Sequence, residues 1–396
     1  MTLAVASLPR PRDVLGEFGI YVHIPFCSHR CWYCDFNAYA GLDHMAEAYL
    51  DALVRDVAEA RSAPDDADLA VRPTVTSVFI GGGTPSLVDA RHIARLLTAV
   101  RSSWPVASGA EVTIECNPES VDEQKLAVYL DAGVNRVSFG VQSLDDGLLA
   151  RLGRAHDAAT ALAALDCARR AGFDNVSADL IFGIPGEDDD RWRQTLVGVL
   201  GRSPTHVSCY ALTYEEGTPL SAWRRLGKFV PESDDDVAGR WETAEAMLTA
   251  AGLKRYEISN WGSPSRHNSL YWAPGEYVGF GAGAHSHVAN DTDSTRSWTL
   301  RSPERYIQAV ADGRTAVAGF ERIDRDLRAS EVMVLGLRRT RGVDATTFAA
   351  LTGRDIEEVF AMQLAMGVEQ GLLEWDARTV RVVRPLLGDA GARLFV

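Results

Sequence analysis

Six cysteines are too few to staple a chain of 396 residues with disulfides, and three of them fall between positions 27 and 34, an arrangement suited to metal ligation in a reducing compartment. No apolar run approaches the roughly 20 residues needed to cross a bilayer. The first thirteen residues have no basic segment ahead of a brief apolar run, and Pro9 and Pro11 follow it, so neither a membrane span nor a signal peptide is expected. Positive charge is also scarce. Forty Lys and Arg stand against 54 Asp and Glu, a net charge of −14, and the basic residues are scattered, which argues against a nucleic-acid or anionic-membrane partner. Internal repeats and low-complexity tracts are missing too. What is present, 46% hydrophobic and 24% charged residues, is ordinary globular composition that excludes disorder, collagen and a bare coiled coil. The length sets a prior of two to three domains, and the expected location is cytoplasmic.

Runs rich in β-branched residues recur at 19–24, 76–80, 112–116, 136–141, 175–181 and 206–212, each closed by a turn signal. Between them, 42–61, 89–101, 122–132, 158–171 and 190–200 have helical spacing, with Gly133 and Gly172 placed as C-terminal caps. Repeated β-then-α units without a dinucleotide fingerprint predict an α/β fold, a partial or complete (β/α) barrel. In such barrels chemistry sits at the C-terminal ends of the strands, where Cys27, the 81–84 turn, Glu115, Gln142, Asp179 and Tyr210 fall. The acidic stretch 231–236 reads as a solvated helix start. From 320 the pattern changes to helices at 327–338, 345–351 and 356–367, then two short strands at 372–375 and 379–383, which predicts a small winged-helix-like α+β domain. Its eleven Arg and twelve acidic residues leave it near neutral, so packing or a lid role is expected of it rather than DNA binding.

Cys27, Cys31 and Cys34 form a C-x3-C-x2-C loop directly after the first strand. Three thiolates from one short loop can each hold one iron of a 4Fe-4S cube and leave the fourth iron open. An open iron can chelate the amino and carboxylate groups of S-adenosylmethionine, whose sulfonium bond an electron from the cluster can cleave. A structural zinc would need a fourth ligand, for which only His23 and His29 are near in sequence. Cys116, Cys167 and Cys209 are too widely spaced for a second cluster and read as buried small hydrophobes.

That loop, with Tyr33 before its third cysteine, resembles the radical SAM superfamily. The ordered phrases YVHIPFCSHRCWYCDF at 21–36, GGGTP at 81–85, ECNP at 115–118, FGVQS at 139–143, RLGR at 151–154, DLIFGIPG at 179–186 and GFGAGAHS at 279–286 resemble its coproporphyrinogen III dehydrogenase-like (HemN-like) group from about residue 18 onward. The resemblance implies a radical SAM barrel at 18–290 after a tail at 1–17, a connection at 291–319 and a HemN-type helical and winged domain at 320–396. It implies S-adenosylmethionine contacts from Tyr21, Tyr33, Gly82, Gly83, Thr84, Glu115, Gln142, Arg154 and Asp179. The types suit the ligand: a carboxylate accepts from ribose hydroxyls, and a guanidinium pairs with a carboxylate in a fork.

Within that group, the dehydrogenase type has a further Cys two residues past the third ligand, where this chain has Phe36, and a longer N-terminal segment. Both departures resemble the HemW type, a haem chaperone. The resemblance then implies haem as cargo, a haem-acceptor protein and an electron donor as partners, and no assigned catalytic residue. The segment RHNSLYW at 266–272 contains the H-N-x-x-Y-W pattern of that type, which implies haem contact from His267, Asn268, Tyr271 and Trp272, with His285 and His287 as alternative ligands. Read from the residues alone, His267 could equally hydrogen-bond locally while Tyr271 and Trp272 anchor packing. Radical SAM oxidative decarboxylation of coproporphyrinogen III is the alternative function. A plain iron-sulfur electron carrier would not need 81–84 or Glu115.

Overall fold

The computed structural model describes residues 9–63, 72–289, 293–376 and 378–383. Strand β1 (Phe18–Ile24) leads into the cysteine loop, which is bracketed by the two-residue strands β2 (Phe26–Cys27) and β3 (Tyr39–Ala40). The main sheet continues with β4 (Val75–Gly82), β5 (Val106–Cys116), β6 (Arg136–Gln142), β7 (Asn175–Phe182), β8 (His206–Ala211), β9 (Asn260–Gly262), β10 (Glu276–Phe280), β11 (His285–Ala289), β12 (Ser294–Thr299) and β13 (Val317–Ile323). Their order is β13-β12-β11-β10-β1-β4-β5-β6-β7-β8-β9. From β10 to β8 neighbours run parallel, while β9 and β11 to β13 extend the two edges antiparallel. Among the described residues the ladder does not close, so the expected (β/α) barrel is a partial one.

All six expected β/α strands are present, and helices Ala46–Glu59, Ala90–Ser103, Glu123–Asp131, Ala158–Ala171 and Asp189–Leu200 lie between them. Much of the acidic excess has a local use. Asp89, Asp122, Asp157 and Asp188 each accept a backbone N–H at a helix start, where the orphan donors and the helix dipole favour a short acid. Period-two alternation then sorts the parallel strands: Ile20, Val22, Val78, Ile80, Val112, Ile114 and their neighbours pack under the helices in one core, while Tyr21, Phe79, Glu115, Ser138, Asp179 and Ser208 share the inner face.

The stretch expected as a connection contains β12 and the helix Pro303–Ala311, so the sheet extends well past residue 290. The C-terminal unit is winged as expected: helices Arg325–Gly336, Ala345–Thr352 and Ile356–Glu369 with a small sheet of β14 (Val343–Asp344), β16 (Thr379–Val382) and β15 (Leu373–Trp375), built on its own apolar core. The first eight residues and those after 383 lie outside the described residues. Among the described residues no helix is long and apolar enough to cross a membrane.

Candidate functional site

The cysteine loop is held from two sides. Gly83 N donates to Ile24 O (2.8 Å) and Thr84 N to Phe26 O (2.7 Å), clamping the glycine turn after β4 against the loop's entry. Gly83 is needed there because a Cβ would stand 2.7 Å from Phe26 O and 3.0 Å from Cys27 Sγ. On the other side Trp32 N donates to Leu152 O (3.0 Å), and a His29 ring nitrogen lies 2.9 Å from Gly153 O. The segment 151–154 is thus the second clamp.

The three thiols line a cavity of about 570 Å³. Thr84 Oγ1 donates to Cys27 Sγ (3.5 Å) and Arg154 Nη1 to Cys31 Sγ (3.4 Å). Burial raises the Cys27 thiol and pushes Cys34 up to about 11. No three His, Cys, Asp or Glu side chains among the described residues converge on a single ion. A cube, by contrast, presents its irons at separate corners, and the donor set of three soft thiolates suits iron-sulfur. Arg154 supports the same fit: its Nη2 donates to Asn117 Oδ1 (2.8 Å) and Gly140 O (2.9 Å), while its buried Nε has no partner and remains available to a ligand.

Of the nine residues expected around S-adenosylmethionine, Tyr33, Gly82, Gly83, Thr84, Glu115, Gln142, Arg154 and Asp179 line this cavity. Tyr21 does not. It lines the neighbouring cavity, with its hydroxyl 2.9 Å from His23 Nδ1. Glu115 Oε2 accepts from Gly82 N (3.2 Å), and burial, then the Asp179 charge, push its carboxyl up to about 7. Asp179 accepts from Ser138 Oγ (3.0 Å) and Ser208 Oγ (2.7 Å). Gln142, at a bulge ending β6, has φ +64°, a sparsely populated conformation for a residue with a side chain. Ser138, Ser208, Asn117 and Arg136 were not anticipated, although the alternation of β6 and β8 places the two serines on the inner face.

The second cavity, about 1000 Å³, lies over β1 and β10 to β12 and meets the first at Phe36, Gly82 and Glu115. The four residues of the H-N-x-x-Y-W segment separate here. They occupy the helix Arg266–Trp272, which plugs the bottom of the partial barrel. Tyr271 and Trp272 line the large cavity and Asn268 the cysteine cavity. His267 lines neither: it is fully buried, with Nδ1 2.9 Å from Ser77 Oγ and Nε2 2.9 Å from Tyr271 Oη, and burial lowers it to about 3. Both of its ring nitrogens are thus engaged with protein hydroxyls. His285 and His287 do line the large cavity.

Residues 21–197 match the radical SAM superfamily and 323–384 the HemN C-terminal domain. The solved structure of coproporphyrinogen III oxidase (HemN) from Escherichia coli, described as a radical SAM enzyme, superposes with a TM-score of 0.81 over 99% of this chain and 96% of that one, at 21% identity. Fold and loop therefore define a radical SAM protein. Heme chaperone HemW of Mycobacterium tuberculosis is 39% identical over 364 residues, covering 90% of this chain and 91% of the relative, and that of Bacillus subtilis is 33% identical over 357 residues, 89% and 92%. The chain belongs to the HemW haem-chaperone family.

Proposed function

We propose that this protein binds haem and passes it to an acceptor protein, and that it holds a 4Fe-4S cluster on Cys27, Cys31 and Cys34 with S-adenosylmethionine beside it. The observation that carries the reading is the pair of adjoining cavities on one sheet face, the smaller lined by the three thiols and the larger by aromatic and imidazole side chains. A volume of about 1000 Å³ is at the upper end for small-molecule sites and accommodates a macrocycle.

Bound together, the cluster and S-adenosylmethionine supply reductive cleavage of the sulfonium bond, with the electron coming from a separate donor. The chain's own part is positioning. The two clamps fix the thiols, Glu115 on β5 and Asp179 on β7 offer acceptors on either side of β6, and Arg154 offers its unpartnered Nε to an anionic group. Phe36, 61% exposed, lines both cavities and sets an apolar divider between them.

Reconstituted protein would be incubated anaerobically with a reductant, S-adenosylmethionine and either coproporphyrinogen III or haem. Stable haem binding, a transfer of haem to an apo-acceptor and no loss of propionate carboxyl groups are expected. Multiple turnovers to a decarboxylated porphyrinogen, abolished in Cys31→Ala, would replace the carrier reading with the enzyme.

A further inference from the structure

Four histidines lie on or beneath the inner face near the large cavity, and their hydrogen bonds separate them. His267 has both nitrogens engaged. So has His23, with Nδ1 2.9 Å from Tyr21 Oη and Nε2 3.0 Å from Asn37 O. His287 is different. Its Nδ1 lies 2.8 Å from Gly275 O, and a carbonyl can only accept, so Nδ1 carries the proton. Nε2 then holds the lone pair, and it makes no hydrogen bond to a described residue. An imidazole whose Nδ1–H is tied to a backbone carbonyl has its tautomer and ring orientation fixed for metal ligation through Nε2.

Register gives this group its surroundings. His287 pairs with Tyr277 on β10 and with Arg296 on β12, and His285 pairs with Trp298, so all five side chains share the face that lines the cavity. His285 is more exposed, at the rim, with its ring 6.1 Å from that of Trp298. Being two residues apart on one strand, His285 and His287 approach a planar ligand from the same side, so only one of them can bind its central metal. The rim also carries charge. Arg296 is held by Glu321 and Glu331. Arg301 is exposed, tethered through Nε to Asn37 Oδ1 (3.3 Å), and its terminal nitrogens form no ion pair with a described residue.

We propose that His287 is the protein's axial ligand to the haem iron and that Arg301 pairs with a haem propionate at the rim. The assignment rests on the haem-carrier reading and adds a ligand distinct from the histidine of the 266–272 segment. Held through His287, haem would have the cavity on its other side, where a ligand from an acceptor protein could take over the metal. Burial lowers His287 to about 4, which keeps Nε2 unprotonated throughout the neutral range.

The test is titration of the full-length, cluster-reconstituted protein with haem, read by the Soret band and by the iron–histidine stretch of the ferrous complex in resonance Raman. Wild type should show the stretch. His287→Gly should lose it and bind haem about tenfold more weakly, and millimolar free imidazole should restore it; His285→Ala should keep it. Metal-free protoporphyrin should bind His287→Gly and wild type alike. Arg301→Ala should weaken haem binding about two- to fivefold, in the range of an exposed ion pair, and leave haem dimethyl ester unaffected. Iron content and the reduced-cluster EPR signal report that each variant is folded. A wild-type stretch and affinity in His287→Gly, or loss of the stretch in His285→Ala instead, overturns the ligand assignment while leaving haem carriage standing. Absence of saturable haem binding by wild type overturns both.

Discussion

At the scale of single residues, Glu115 gives the clearest pH dependence. Its carboxyl is raised to about 7, first by burial and then by the Asp179 charge. Ribose hydroxyls donate to the charged form, so S-adenosylmethionine binding should strengthen as pH rises from about 6 to 8, measured through its effect on the cluster's EPR signal. Glu115→Ala should flatten that profile and cost about 10- to 150-fold in affinity, the worth of one charge-assisted hydrogen bond. The sign for stability is opposite. A carboxyl with a raised pKa in the folded state stabilises only while protonated, so the ligand-free protein loses stability as pH rises from 4.5 through about 7. Glu115→Gln should therefore gain on the order of 2 kcal/mol over wild type at pH 8 and little at pH 5, by urea denaturation. For the cluster, Ala at Cys27, Cys31 or Cys34 should each prevent reconstitution of full iron and sulfide content, whereas Cys167→Ala should not. The cysteine set was legible because one loop supplies it. His287 was harder to choose, because which imidazole nitrogen is free depends on a carbonyl twelve residues away.

Among the elements, six of the seven parallel strands, all but β10, could be read from the sequence because they are buried on the helix side as continuous β-branched runs. The edge strands β11 to β13 could not. In β12 the alternating residues are Ser294, Arg296 and Trp298 on one face and Thr295, Ser297 and Thr299 on the other, a polar pattern whose burial comes from neighbours rather than from hydrophobicity. The helix Arg266–Trp272 shows the converse: a segment that reads as ligand-binding is also a plug. His267 joins Ser77 of β4 to Tyr271, and a Cβ on Gly19 of β1 would strike its ring at 2.9 Å. Removing that ring leaves a void and two hydroxyls that lose a partner. His267→Ala should destabilise by on the order of 3 kcal/mol in urea at pH 8 and by clearly less at pH 5, because burial keeps the folded ring neutral while the imidazole of the unfolded wild-type chain takes up a proton below about 6.5 and so weakens wild type as pH falls.

On the scale of the whole molecule, the short N-terminal helix Pro11–Leu15 ties the two units together. Arg12 donates its backbone N–H to Glu276 Oε2 (3.0 Å) and Nη1 to Oε1 (3.1 Å) at the start of β10, while Val14 packs against the core of the C-terminal unit. The same C-terminal unit sends Glu331 and Leu335 into the wall of the large cavity and lays Arg338 over Trp272 at 4.5 Å. The stretch expected as a tail thus acts at the junction that shapes the cavity. Glu276 is fully buried; burial raises its carboxyl, and Ala289 N and Arg12 lower it. In Arg12→Ala the backbone donor and Ala289 N remain but the guanidinium bonded to the carboxylate is gone, leaving only the weaker attraction of Arg10 and Arg328, which should cost about 3 kcal/mol at pH 8, as for other broken buried pairs. The cost should shrink toward pH 5, because the unpaired acid can then take a proton. Arg12→Ala/Glu276→Gln should recover most of the loss at pH 8, since a neutral amide in that place no longer needs the guanidinium. Denaturation curves of the three proteins at the two pH values decide it: an Arg12→Ala penalty that is the same at both, or is not relieved by Glu276→Gln, would mean that the helix is held by its apolar contacts and that the ion pair adds little.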